Sequence, residues 1–202
     1  PRKSFQEAMD AFKMFHDKYP KSGIYFHTLL NMQGGFPIIE YAKFLGIFEF
    51  IYKIEPYDLM FSTDRNAMTK LYNSFDCLLL PSTNEGFGVP AIEAEACGVP
   101  VIVNGFTAMP ELVNPGITGE ICKVQHKRFT PLLSYVGIPD TNDLFKKMEK
   151  IYEADRVEMG KAARLWAMGN YDIKKVFKEK WVPFLEKLEK EVYGDLTESK
   201  MV

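Results

Sequence analysis

The stretch CLLLPSTNEGFGVPAIEAEACGVPVIV, residues 77–103, decides the fold. The apolar run at 77–80 predicts a buried strand, and 90–97 predicts a helix that ends at Gly98. The apolar run at 101–103 predicts the next strand. A strand, a helix and a second strand in this order form a right-handed βαβ unit of a parallel sheet.

The same alternation extends on both sides of this stretch, and after residue 140 only helical patterns follow. Ser4 and Glu7 fit a capping box for the first helix, and Asp64 fits an N-cap. The remaining predicted helices are 4–19, 37–45, 65–74, 109–113, 141–153, 155–169 and 173–191, and the remaining strands are 24–30, 48–52 and 120–124. We expect an α/β fold with a Rossmann-like parallel sheet flanked by helices, spanning residues 1–170. A helical C-terminal extension, residues 171–202, follows, with a frayed tail from Tyr193.

The composition is that of a globular protein, with 202 residues, 47% hydrophobic and 26% charged. A net charge of −2 gives no general attraction to nucleic acid. No apolar run approaches the roughly 20 residues of a membrane span, and the first residues do not resemble a secretory signal. The three cysteines are expected to be thiols in a reducing compartment, so we expect a cytoplasmic protein. Because residue 1 is proline, the chain is expected to be part of something longer.

The loop at 81–89 leaves a strand at its carboxyl end, which is where open α/β sheets bind ligands. Gly86 and Gly88 let the backbone approach a ligand, and their N–H groups lie near a helix N-terminus, which favours anions or hydroxyl oxygens. Glu85 and Glu93 add carboxylates that accept hydrogen bonds. Such a set suits a polyhydroxylated ligand with negative charge, and a nucleotide sugar is one.

Two other interpretations of the glutamate pair stay open at this point. Glu85 is favoured near a helix N-terminus in any protein, and Glu93 is then a solvent-facing helix residue beside Glu95. Alternatively, the pair is the carboxylate dyad of a glycoside hydrolase, whose spacing in three dimensions the sequence does not give.

The longer string closely resembles the donor-binding half of retaining GT-B glycosyltransferases of family 4. It runs from CLLLPSTNEGFG through ACGVPV and PE to GITG, residues 77–119. Weaker similarity extends to residues 2–12, 71–76 and 158–176. The resemblance implies one half of a GT-B fold and binding of a nucleoside diphosphate sugar without a metal or other cofactor.

The resemblance also assigns roles to individual residues. Glu85 is expected beside the reacting carbon of the donor sugar as the catalytic residue, and Glu93 is expected to accept the ribose hydroxyls. Lys3 is expected to neutralise the departing diphosphate. The N–H groups expected to contact sugar hydroxyls and diphosphate belong to Gly86, Phe87, Gly88 and Val89. These charges are suited to a reaction that builds positive charge on the sugar and negative charge on the leaving group.

A GT-B enzyme has its acceptor site in an N-terminal domain, which this chain does not contain. We therefore expect the chain to bind donor but to transfer a hexose poorly or not at all alone. The family's partner arginine is expected upstream of residue 1. The expected N-terminal domain is compatible with peripheral contact between the longer protein and a membrane. The apolar face of the C-terminal helix is expected to be exposed and to cause self-association.

The remaining expectations concern one loop, the second glycine-rich segment, the nucleobase pocket and the rival functions. Residues 125–139, which include His126, Lys127 and Arg128, are expected to form a solvated loop, and contact of these three side chains with a phosphate or an acidic lipid is the alternative. Residues 31–35 match the family's second glycine-rich loop poorly. The nucleobase pocket is expected near residues 53–61, but the sequence does not indicate which of them contact the base. The rival functions are a noncatalytic GT-B module that holds a nucleotide or partner, and a nucleotide-sugar epimerase.

Overall fold

A computed structural model describes residues 2–30 and 34–198 of the chain. Helices and short strands alternate up to residue 139, and only helices follow. The α-helices are α1 (Phe5–Lys18), α2 (Ile38–Leu45), α3 (Pro56–Phe61), α4 (Arg65–Tyr72), α5 (Val89–Ala96), α6 (Thr141–Glu153), α7 (Arg156–Tyr171), α8 (Ile173–Val176) and α9 (Val182–Glu198). The strands are β1 (Ile24–Phe26), β2 (Ile51–Lys53), β3 (Leu78–Leu80), β4 (Val101–Asn104), β5 (Gly119–Cys122), β6 (Val124–Phe129) and β7 (Tyr135–Pro139). Phe48–Phe50 and Met109–Leu112 are 3₁₀ turns, and Phe177–Trp181 is a π-helical turn.

The strands form two parallel sheets and one antiparallel hairpin. β1 pairs with β2, and β4 lies between β3 and β5, all in parallel. Among the described residues β1 and β3 are not hydrogen-bonded to each other, so the two parallel sheets are separate.

Helix α1 connects the two halves of the core. Its buried Met9 and Phe12 pack in one cluster with Ile24 of β1. Its Ala11 packs in another cluster with Ile102 of β4. Burying a large apolar side chain contributes about 1.5–3 kcal/mol, so α1 stabilises both sheets at once.

The predicted α/β fold is confirmed, and the predicted helix caps have different outcomes. The Asp64 side chain accepts a hydrogen bond from the Ala67 N–H at 2.7 Å, as predicted for an N-cap. The capping box at Ser4 is wrong, because the Ser4 side chain makes no capping hydrogen bond. Its backbone is left-handed (φ 50°, ψ 46°), whereas a capping residue needs an extended backbone to turn its side chain over the first turn.

Several predicted boundaries are also corrected. The first strand is three residues long rather than seven, and the predicted strand at 48–52 begins as a 3₁₀ turn. Residues 125–139 are not a loop but most of an antiparallel hairpin, β6–β7. The poorly matching segment at 31–35 lies partly outside the described residues, which resume at Gly34.

The C-terminal extension is helical, as predicted, but it is interrupted. The π-helical turn comes directly before Pro183, which has no N–H to donate to a carbonyl four residues earlier. The predicted apolar face is exposed, and it carries Phe177, Trp181, Phe184, Leu185 and Leu188. Helix α9 continues to Glu198, beyond the predicted end, and the remaining tail lies outside the described residues. Across residues 2–30 and 34–198, no helix has the length and apolar character needed to cross a bilayer.

Candidate functional site

The loop between β3 and α5 lies at the carboxyl ends of the parallel strands, and its first part is tied to three other segments. The Thr83 N–H donates to the Arg2 carbonyl at 2.8 Å, and the Gly137 N–H donates to the Thr83 carbonyl at 2.9 Å. The buried Asn104 side chain donates to the carbonyls of Ser82 (3.0 Å) and Gly137 (2.8 Å). The loop is therefore anchored before any ligand arrives, by the start of the chain, the end of β4 and the hairpin.

Glu85 and Lys3, which the sequence predicts for the site, are in direct contact. Lys3 Nζ lies 2.6 Å from Glu85 Oε1, and Arg2 Nη1 lies 2.5 Å from Glu85 Oε2. The Glu85 side chain is only 10% exposed. Burial raises the pKa of Glu85, but the hydrogen bond and charge of Lys3, together with the charge of Arg2, outweigh it and the pKa lies below its usual value. The structure thus presents a charged carboxylate with two cations already beside it.

Arg2 is a site residue that sequence reasoning missed. We expected the cationic partner of Lys3 to lie upstream of residue 1, yet the adjacent Arg2 bonds the same carboxylate as Lys3. Its position next to Lys3 was the available signal.

Of the residues predicted to supply N–H donors, Gly86, Phe87 and Val89 are exposed and Gly88 is buried. Gly88 has a φ of +109°, and a Cβ there would lie 2.8 Å from Leu112 Cδ1, so this position requires glycine. A Cβ at Gly86 would meet nothing within 4 Å, so a ligand can approach this backbone. Phe87 and Val89 are both about half exposed, and the Phe87 ring packs edge-on against Tyr171.

Glu93 lies one helical turn into α5 and points away from the buried face. The Tyr72 hydroxyl donates to Glu93 Oε2 at 2.9 Å. Burial, followed by this hydrogen bond, raises the pKa of Tyr72, so the tyrosine remains a donor that orients the carboxylate. Glu93 lines a cleft of about 390 Å³ together with Phe87 and Val89. The structure therefore groups Phe87, Val89 and Glu93 at one cleft and Lys3 with Glu85 at the other end of the loop.

Glu95, two positions after Glu93 in α5, has a different environment. It is fully buried, on the face of α5 that also buries Ala91 and Ala94. Neither of its carboxyl oxygens has a hydrogen-bond partner among the residues that the structure describes. Burial raises the pKa of Glu95 to about 8, and the nearby Thr118 lowers it only in part. Glu95 therefore belongs to the core and not to the ligand-facing surface.

The three cysteines are free thiols, as expected. Burial raises the pKa values of Cys77 and Cys122 to about 12, so both remain protonated. No cluster of three or more His, Cys, Asp or Glu suited to a metal ion occurs in the described part of the chain. The groups that the site offers to a ligand are thus carboxylates, cations and backbone N–H donors.

Part of the chain matches a known protein family and several curated proteins. Residues 57–133 match the family model described as Glycosyl transferases group 1. The D-inositol 3-phosphate glycosyltransferase of Mycolicibacterium gilvum (strain PYR-GCK) is 32% identical over 84 residues, which are 42% of this chain and 18% of that protein. A 41.2 kDa protein in the cps region of Klebsiella pneumoniae is 41% identical over 56 residues, 28% of this chain and 16% of that protein. The chain thus spans less than a fifth of the length of these relatives.

Solved structures show the same fold. The C-terminal domain of the glycosyl transferase group 1 family protein LpcC from Francisella tularensis has a TM-score of 0.66 at 21% identity, covering 85% of this chain and 81% of that one. A glycosyltransferase from Rickettsia africae ESF-5 has a TM-score of 0.70 at 17% identity, over 93% of this chain and 45% of that one. Anabaena HepE in complex with UDP-glucose has a TM-score of 0.69 at 18% identity, over 92% and 46%. Residues 57–133 are therefore similar to the Glycosyl transferases group 1 family, in a chain that has the fold of the C-terminal half of a GT-B glycosyltransferase.

Proposed function

We propose that this chain binds the nucleoside diphosphate sugar donor of a retaining hexosyltransferase. The observation that carries the proposal is the pairing of Glu85 with Lys3 and Arg2 at the glycine-containing loop. Support comes from the group 1 family match and from Anabaena HepE, a protein of the same fold that was solved with UDP-glucose. Titration with different nucleoside diphosphates and their sugars would identify the base and the hexose.

The ion pairs suggest how donor binding proceeds. Without ligand, Glu85 is paired with both Lys3 and Arg2, whose side chains are 37% and 55% exposed, and its single negative charge offsets one of the two positive charges. When a diphosphate enters, the cations turn to its oxygens, with the loop N–H groups as further donors. Glu85 is then released to face the sugar, whose ring gains positive charge as its bond to the diphosphate breaks. No metal has a role in this scheme.

Glu93 holds the other end of the donor in this proposal. Its carboxylate, oriented by the Tyr72 hydroxyl, accepts hydrogen bonds from both ribose hydroxyls, so ribose and sugar lie at opposite ends of the diphosphate. A GT-B enzyme completes its site with an acceptor-binding domain, so we propose that this chain alone transfers sugar poorly or not at all.

The decisive test is calorimetric titration of the chain with UDP, GDP and ADP, each with and without its sugar. We expect one diphosphate to bind without added metal and in the presence of a chelator. Because Glu93→Ala removes two charge-assisted hydrogen bonds, we expect it to weaken that binding about a hundredfold. Glu158→Ala, at a glutamate that is exposed on α7, serves as the matched control and should bind as the wild type.

Two results would contradict the proposal. The first is unchanged affinity in Glu93→Ala, and the second is no binding of any diphosphate by a chain whose circular dichroism shows that it is folded. In the second case the noncatalytic partner-binding module becomes the better interpretation. Formation of an epimer from UDP-N-acetylglucosamine would instead favour the epimerase.

Gly86→Ala is expected to separate binding from folding. The added methyl meets no atom within 4 Å and the backbone needs no positive φ, so the stability of the protein should stay within about 0.5 kcal/mol of the wild type. The methyl would, however, stand between the loop N–H groups and the donor, and we expect about tenfold weaker binding of the diphosphate sugar in calorimetry. Equal binding by Gly86→Ala and the wild type would show that the donor does not approach this backbone.

A further inference from the structure

A second cleft, of about 310 Å³, lies beside the loop and is lined by none of the residues proposed to bind the donor. Its walls are the start of α1, the turn before α2, Thr83 and the hairpin β6–β7. Ser4, Phe5, Gln6 and Glu7 form the first wall. Arg128 of β6 forms part of the opposite wall. The cleft lies beside Thr83, which follows the carboxyl end of β3.

The first wall offers backbone hydrogen-bond donors that have no acceptor among residues 2–30 and 34–198. The first backbone bond of α1 runs from the Ala8 N–H to the Ser4 carbonyl, so the N–H groups of residues 5–7 precede the helical ladder. Ser4 does not cap them. The Ser4 hydroxyl is itself buried, the residue being 3% exposed, and it has no hydrogen-bond partner within the described part of the chain. A helix start with an unpartnered buried hydroxyl beside it suits an anionic ligand, whose oxygens accept from both.

The opposite wall offers a cation. Arg128 is exposed, and it makes neither a hydrogen bond nor an ion pair with the described residues. Its neighbour Lys127 lies on the other face of β6, with Nζ 5.6 Å from the centre of the Phe106 ring. The hairpin sequence, residues 124–139, contains no Asp or Glu to neutralise Arg128. Glu7, the acidic residue of the cleft wall, opposes an anion and tunes its affinity.

We propose that this cleft is a subsite for a phosphate group, bound by the first-turn N–H groups of α1, the Ser4 hydroxyl and the Arg128 guanidinium. An arginine binds phosphate through two parallel hydrogen bonds, and a helix start adds backbone donors and a favourable dipole. The phosphate belongs either to the diphosphate of the donor or to a phosphorylated second substrate. The first of these alternatives deepens the proposed function and rests on it, whereas the second does not depend on it, because the donor residues do not line the cleft.

The test is a titration of the isotopically labelled chain with inorganic phosphate, followed by nuclear magnetic resonance of the backbone amides at constant ionic strength. We expect saturable shifts at residues 5–7. Arg128→Gln should weaken phosphate binding at least about tenfold. Glu7→Gln should strengthen it about threefold, because a like charge is removed. Lys127→Gln, the adjacent basic residue on the other face of the strand, should leave it unchanged.

The opposite signs expected for Arg128→Gln and Glu7→Gln separate a specific site from general electrostatics. Equal weakening by Arg128→Gln and Lys127→Gln would overturn the proposal, as would the absence of saturable shifts at residues 5–7 in the folded wild type. A second arm repeats the titration with glucose 6-phosphate after saturation with UDP. Binding to the UDP-saturated protein supports a phosphorylated second substrate, and displacement by UDP supports the donor diphosphate.

Discussion

Glu95→Gln is expected to make the protein markedly more stable at alkaline pH while changing little at pH 5. Glu95 is fully buried, and its carboxyl oxygens have no hydrogen-bond partner in residues 2–30 and 34–198. Burial raises the pKa of this carboxyl from 4.5 to about 8. Between these values the folded chain keeps the proton that the unfolded chain has released, so the stability of the wild type falls as the pH rises. Below pH 4.5 both states are protonated, and above about pH 8 both are ionised.

The size of the effect on stability follows from the difference between the pKa of Glu95 in the unfolded and the folded chain. Each pH unit between 4.5 and about 8 costs about 1.4 kcal/mol, which amounts to on the order of 5 kcal/mol in the free energy of unfolding. Glutamine has the same shape and no titrating proton, so the variant should lose this pH dependence.

Urea unfolding of wild type and variant at pH 5, 7 and 9 measures the difference directly. The difference between the two proteins cancels the contributions of groups that Glu95 does not affect. The pKa of Tyr171, raised by burial and by the charges of Glu95 and Glu111, lies above its usual value of 10.0, so this tyrosine stays protonated at all three pH values. Glu186→Gln, at an exposed position of α9, is the control and should change stability little at any pH. A pH-independent difference between wild type and Glu95→Gln would mean that the carboxyl is hydrated.

Gly119→Ala is expected to destabilise the chain by about 3 kcal/mol or more. A Cβ on Gly119 would lie 2.1 Å from the Val101 carbonyl oxygen and 2.9 Å from the Val101 nitrogen. These are backbone atoms of the adjacent strand β4, which pairs with β5 at this residue. They cannot move away without breaking the hydrogen bonds that join the two strands, so the substitution should open one side of the main sheet.

Gly169→Ala provides the matched control for this substitution. Gly169 lies in α7, and a Cβ there would meet nothing within 4 Å. Alanine is the better helix former, so this variant should be more stable by about 0.5–1 kcal/mol. Thermal and urea unfolding of both variants measure the contrast. A Gly119→Ala protein as stable as the wild type would show that β4 and β5 separate at little cost.

Local sequence patterns predicted helices and strands correctly where the apolar residues of the pattern are also the buried residues of the structure. Helix α6 has the predicted bounds, because its apolar period and the Asp140 cap agree. The β6–β7 hairpin was missed because its first strand is almost wholly exposed and shows no alternation of apolar and polar residues. Its pairing depends on Val136 and Ile138, which become buried only when the hairpin packs onto the domain.

The prediction of site residues was likewise possible for residues close together along the chain and not for contacts between distant segments. Glu85, Gly88 and Glu93 lie in one short string, so their spacing alone placed them on a loop and the helix that follows. The burial of Glu95 was also within reach, because it falls on the helical face of Ala91 and Ala94. Arg2 and Tyr72, which bond the two glutamates, are far from them along the chain, so no local pattern indicates those contacts.

By itself the sequence determined the α/β class, the ligand-facing loop and the family resemblance, because each depends on residues that are close together along the chain. The tertiary structure alone decided which charges meet. It joins Lys3 and Arg2 to Glu85 across more than eighty positions and brings Arg128 to the uncapped start of α1. Such contacts arise from the packing of α1, the sheets and the hairpin against one another, and local propensity carries no information about them.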